Sequence, residues 1–206
     1  MIRLIFICFI SWLFLTGCGS QKVVTSKYYV IEINDDSLAT AFTGQPPPVI
    51  DKYCEIEPVD VYPAYASTQI ANRSNLREIT YYAHHQWAIR PSESFTRIIL
   101  DYFMHKPIFK STSERFWRVE PVYSVETTVY HLEVLQTNNS FSARLEVEFR
   151  LMDSEKGIEI LHHRADKRVD LQAKDINLLA SAVADIFYRE LIAFSEKIVE
   201  EIPDKS

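Results

Sequence analysis

Glycine is scarce in this 206-residue chain, cysteine is scarcer, and a long apolar run occurs in only one place. The four glycines are Gly17, Gly19, Gly44 and Gly157, so only two lie past residue 19. A phosphate-cradling loop needs several glycines for close backbone approach, and an α/β-hydrolase elbow needs Gly-x-Ser-x-Gly; the chain offers neither. Beyond residue 15 no apolar stretch approaches the roughly 20 residues that cross a hydrocarbon core as a helix. Positive charge is also in deficit, with 22 Lys and Arg against 28 Asp and Glu for a net charge of −6. An acidic chain is a poor match for nucleic acid, whose phosphates favour a basic face.

The single apolar run sits at the N-terminus. Arg3 supplies one positive charge, residues 4–15 are apolar, and Leu15-Thr16-Gly17-Cys18 follows. That order is a secretory signal with a lipobox, which predicts cleavage before Cys18 and lipid attached to its thiol. Each buried methylene adds about 0.8 kcal/mol, so two or more acyl chains anchor a protein stably where one does not. Residues 1–17 are then the signal peptide, 18–27 the lipidated cysteine and polar tether, and 28–206 a single domain. Gly19, rather than aspartate, follows the cysteine and predicts delivery to the outer membrane, facing the periplasm. Cys8 leaves with the signal and the Cys18 sulfur is consumed. Cys54 is left without a partner and reads as a small buried apolar residue.

Within the domain, β-branched and aromatic residues predict strands at 28–33 and 53–61, with a long loop between them carrying Gly44 and Pro46-Pro47-Pro48. Asn72 to Asn75 is polar and predicts the turn of a hairpin between 67–71 and 76–82. Pro91 opens a helix whose Phe95, Ile98, Ile99, Tyr102 and Phe103 share one face, and Pro107 ends it. Strict alternation from Phe141 to Leu151 predicts a strand with a buried face and a wet face of Ser142, Arg144, Glu146, Glu148 and Arg150. Residues 125–135 and 158–169 complete a three-strand meander. A final helix at 174–200 aligns Ile176, Leu179, Val183, Phe187, Leu191, Phe194 and Ile198 in one stripe, suited to covering the bare sheet face. The fold class expected is α/β, with a mixed, largely antiparallel central sheet and two main amphipathic helices packed on it.

Catalytic or metal-binding chemistry is hard to place. His84-His85 and His162-His163 are adjacent pairs; neighbours on a strand point to opposite faces, so neither pair is a natural chelate. Glu146 and Glu148 read as a solvated strand face. The aromatics Tyr81, Tyr82, Trp87, Phe116 and Trp117 read chiefly as core, with an interface as the alternative. No cofactor and no enzymatic activity are expected. A candidate partner-binding surface is the pair of loops carrying Pro46, Pro47 and Pro48 and carrying Tyr62, Pro63 and Tyr65, where exposed aromatics and prolines suit recognition.

Residues 56–65, Ile-Glu-Pro-Val-Asp-Val-Tyr-Pro-Ala-Tyr, followed by Thr68-Gln69-Ile70-Ala71-Asn72-Arg73, resemble the ABC-type transport auxiliary lipoproteins of the PqiC-like family. The lipobox, Tyr28-Tyr29-Val30 and Trp87-Ala88 before the first helix fit the same order, and the likeness runs through the meander into the closing helix. Residues 89–94 depart from the usual opening of that helix. The resemblance implies a non-enzymatic component of an envelope phospholipid-transport system, working with a permease, an ATPase and an MCE-domain protein. Phospholipid is a candidate ligand and homo-oligomerisation is open. The alternative is a lipoprotein scaffold or chaperone for assembly of another outer-membrane complex.

Overall fold

The computed structural model describes residues 25–33, 48–75, 77–137 and 140–202. Cys18, Pro46, Pro47 and Gly44 lie outside them. In chain order the elements are β1 (Lys27–Tyr29), β2 (Ile50–Ile56), β3 (Asp60–Val61), β4 (Gln69–Asn75), β5 (Glu78–Trp87), α1 (Pro91–His105), β6 (Phe109–Ser113), β7 (Tyr123–Gln136), β8 (Phe141–Asp153), β9 (Ile158–Asp170) and α2 (Ile176–Glu201).

The meander β7-β8-β9 is the spine, paired antiparallel along nearly its whole length. Alternating side chains in β8 make this the strongest local signal in the chain. Both turns follow from sequence. Thr137 N–H donates to the Ser140 carbonyl at 3.0 Å, and Asp153 Oδ1 accepts from the backbone N–H of Glu155 and Lys156. Gly157 closes the second turn at φ +65°, where a Cβ would be strained.

The other edge of β7 is shared by three short parallel partners. β2 pairs with residues 123–125, β3 with Thr128 and Val129, and β4 with residues 133–135. β6 extends β2, while β5 and then β1 extend β4. The nine-stranded sheet is therefore mixed, and its long ladders are antiparallel.

Both helices cover one face. α1 buries Phe95, Ile98, Ile99, Tyr102 and Phe103, and α2 buries Leu179, Val183, Phe187, Leu191, Phe194 and Ile198. Phe187 stacks on Phe95 at 4.4 Å between centroids, and Phe149 of β8 meets Phe187 and Phe194 at 5.4 and 5.3 Å. Asp175 caps α2 by accepting from Asn177 N–H at 2.9 Å. Cys54 is fully buried in this core, and burial pushes its thiol up, out of the reactive range.

Four sequence expectations change. The hairpin turn does not fall at 72–75: β4 runs through these residues because Asn72 and Arg73 pair with Val134 and Leu135 of β7, and tertiary pairing overrides turn propensity. The strand expected over 53–61 is two strands, interrupted around Pro58. The first strand ends at Tyr29, and β6 was not foreseen. Trp117 is 83% exposed rather than core.

Candidate functional site

The block of sequence from Pro58 to Arg73 adds β3 and β4 to the edge of β7, with Val59 N–H bonded to Thr96 Oγ1 of α1 at 2.9 Å, while Tyr65 and Arg73 turn to the sheet face opposite the helices. β3 and the 62–68 loop bring Tyr65 inward and β4 brings Arg73 beside it, both toward Glu133 of β7. The Glu133 side chain has no exposed surface. Its carboxylate accepts from Tyr65 Oη at 2.6 Å, from Arg73 Nε at 2.9 Å to each oxygen, and from Arg144 Nη1 at 3.2 Å. Arg73 Nη2 also donates to Tyr65 Oη at 2.9 Å. Burial and the Glu133 carboxylate push the Tyr65 hydroxyl up, and the same carboxylate raises Arg73 further. A buried carboxylate with charged and hydroxyl donors on both oxygens is satisfied, and it pins the 62–68 loop.

Arg144 carries the network along β8. Its guanidinium forms a two-pronged bond to Asp166 at 2.9 and 2.9 Å and lies 3.4 Å from Glu146. Glu146 Oε1 accepts from Arg164 Nη2 at 2.6 Å, and its Oε2 lies 2.6 Å from His131 Nδ1. Glu148 meets Tyr130 Oη and, at 2.8 Å, His162 Nε2. Burial opposes ionisation of Glu146 and Glu148. Hydrogen bonds from Arg164 and His131 to the first, and from Tyr130 and His162 to the second, outweigh burial and hold both below the usual carboxylate range. Arg164 also stacks over the Tyr130 ring at 4.4 Å.

A bulge in β7 creates this arrangement. Val125, Thr127 and Val129 face the helices, and then Leu132 and Val134 do so, one residue out of step. Tyr130 and His131 are thus both turned to the polar face, where each meets a glutamate. The expected wet face of β8 is only partly wet: Glu146 is 9% exposed and Ser142 7%. Glu133 and the bulge were the features that sequence reasoning missed. The signal was the Tyr130-His131 doublet between Val129 and Leu132, which breaks strict alternation.

His162 and His163 do point to opposite faces. His163 turns to the helix side, 2.9 Å from Glu190 of α2. Among the described residues, no group of three or more His, Cys, Asp or Glu could hold a metal ion, and no helix is long and apolar enough to cross a membrane.

The residues singled out for partner binding do not converge. Pro48 is exposed and precedes β2 near the Tyr123 end of β7. Tyr62 is 56% exposed and sits halfway along β7, with its N–H bonded to the Val129 carbonyl at 2.8 Å. Pro63 beside it is exposed, whereas Tyr65 is buried in the Glu133 network and is no exposed aromatic.

This architecture recurs in solved structures. Protein XCC0632 from Xanthomonas campestris matches with a TM-score of 0.69 at 13% identity, over 85% of this chain and 96% of that one. A crystal structure of a protein described as uncharacterized matches at 0.64 and 11% identity, over 84% and 99%. At such identities the likeness defines the fold. No curated protein sequence matches the chain. The family is settled by the sequence of residues 37–190, which match the model of the ABC-type transport auxiliary lipoprotein component: the chain belongs to that family. It is accordingly a membrane-anchored lipoprotein and an auxiliary component of ABC-type transport.

Proposed function

We propose that the chain is lipidated at Cys18, held on the periplasmic face of the outer membrane, and acts without catalysis as the docking or receiving component of an MCE-type phospholipid transporter. The observation that carries this reading is family membership across residues 37–190, joined to the lipobox Leu15-Thr16-Gly17-Cys18. The polar network supports a non-catalytic role. Its carboxylates at Glu133, Glu146 and Glu148 are each engaged by neighbouring donors, and Glu133 ties Tyr65 and Arg73 of the Pro58-to-Arg73 block to β7. Physical logic also favours a receiving component: an acyl chain in the aqueous periplasm is costly, so a protein conduit must meet the outer membrane.

Gentle crosslinking of whole cells, followed by purification from membranes, tests the reading. Recovery with an MCE-domain protein is expected. Recovery as a free lipoprotein, with the MCE-domain protein present but unlinked, would overturn it. Cys18→Ser should abolish membrane attachment and transport together, read by membrane fractionation and by outer-membrane lipid integrity. Transport retained by the soluble variant would refute the anchored role.

A further inference from the structure

The two ends of the spine expose different chemistry. Gln136 ends β7 and Phe141 begins β8; at that end they line an open cavity with Lys27, Tyr28, Lys174 and Asp175. Tyr28 is 64% exposed, and both lysines are at the surface. At the far end Phe116 packs edge-on against Tyr53 of β2, whose Cys54 pairs with Tyr123 at the start of β7. Next to it Trp117 is 83% exposed, with the Arg115 guanidinium 4.7 Å from its ring centre. The 14 residues of β7 separate the two ends by roughly 40 Å.

The chain enters at the Lys27 end. β1 runs parallel to β5 with Lys27 opposite His85, so Ser26 and Thr25 head toward the end of β5 at Glu78, which pairs with Asn75 of β4. Cys18 lies seven residue steps before Thr25, a reach of at most about 25 Å. From that reading of Cys18 as the lipid anchor, we infer that the end carrying Lys27, Tyr28 and Lys174 rests on the lipid headgroups and holds the Trp117 loop out in the aqueous phase.

The side chains at that end suit the same orientation. The chain as a whole is acidic at −6, so an anionic bilayer repels most of its surface. At the Lys27 end three carboxylates accept from protein donors. Asp175 accepts from Asn177 at 2.9 and 3.0 Å, Asp170 from Ser142 Oγ at 2.6 Å, and Glu78 from Asn75 at 3.0 Å. The ammonium groups of Lys27 and Lys174 and the Tyr28 phenol face outward there, with the exposed carboxylates of Glu32 and Asp185 on the flank beside Tyr28. Tyrosine and lysine suit the interface, each with an apolar body and a polar tip at headgroup depth.

The test uses the full lipidated protein, reconstituted into vesicles of phosphatidylethanolamine and phosphatidylglycerol with brominated acyl chains. Trp87 is buried and stays in every variant as a common background. A Tyr28→Trp, Trp117→Phe variant should lose about half of its added emission to bromine quenching, as expected of an interfacial ring. The unsubstituted protein, reporting on Trp117, should lose almost none. Lys27→Glu with Lys174→Glu should weaken quenching at position 28 while the protein still floats with the vesicles. Quenching at Trp117 equal to or above that at position 28, or none at position 28 in floated protein, would overturn the orientation while leaving the anchor intact. Protein that does not float at all would remove the anchor itself, and the orientation with it.

Discussion

Alternate residues of β8 build the two faces of one sheet, and the faces hold together by different means. Toward the helices, Leu145, Val147 and Phe149 are fully buried among aromatic and aliphatic side chains. On the other face, Arg144, Glu146 and Glu148 are nearly as enclosed but are joined by hydrogen bonds and charge. Apolar burial is non-directional, so the helix face tolerates volume-conserving exchange. The polar face is directional. Each carboxylate has particular donors, and removing one member takes a partner from enclosed groups that cannot replace it with water.

Four measurements would break or sharpen this contrast. The largest effect is expected from Phe187→Ala, which empties the stack between Phe95 and Phe149 and should cost about 3–5 kcal/mol in urea unfolding. A loss below about 1 kcal/mol would remove the helix face from its dominant place. Next is Glu133→Gln, which leaves Arg73 and Arg144 without their shared carboxylate and should cost about 2–3 kcal/mol. Combining it with Tyr65→Phe should cost less than the two single losses added together, because the groups belong to one network.

The third effect is a dependence on pH. The folded-state values of Glu146 and Glu148 are depressed below the ordinary 4.5, so as pH falls the unfolded chain takes up protons first. Their contribution is fully present above that value and is lost as pH falls through the lower folded values. Thermal midpoints followed from neutral to about pH 3 should hold down to about pH 5 and then drop, with a shallower drop in Glu146→Gln. An unchanged profile in that variant would mean that ionisation of Glu146 contributes nothing to the folded state. The smallest effect is expected from Trp117→Ala. The ring is 83% exposed, so stability should change by less than about 0.5 kcal/mol.

Much of the architecture was legible because its signals are periodic and local. The stripes of α1 and α2 and the alternation of β8 are each specified within a few residues. The short parallel strands were not legible in the same way. β2, β3, β4 and β6 owe their boundaries to distant stretches of chain, so Asn72 to Asn75 looked like a turn until β7 paired with Asn72 and Arg73. Phe109 to Ser113 is too short to show a period of its own and is ordered by β2.

The sequence alone determined the two helices, the meander between them and the scarcity of glycine, and it carries the Leu15-Thr16-Gly17-Cys18 pattern on which the proposed anchor rests. Composition and spacing of near neighbours suffice for such features. The tertiary structure decided that Tyr65, Arg73, Glu133 and Arg144 meet, that the wet face of β8 is half enclosed, and that Lys27 and Trp117 lie at opposite ends. Those facts depend on residues up to 68 positions apart being brought within hydrogen-bond distance, and on a single bulge at Tyr130 and His131 that turns two neighbouring side chains to one face.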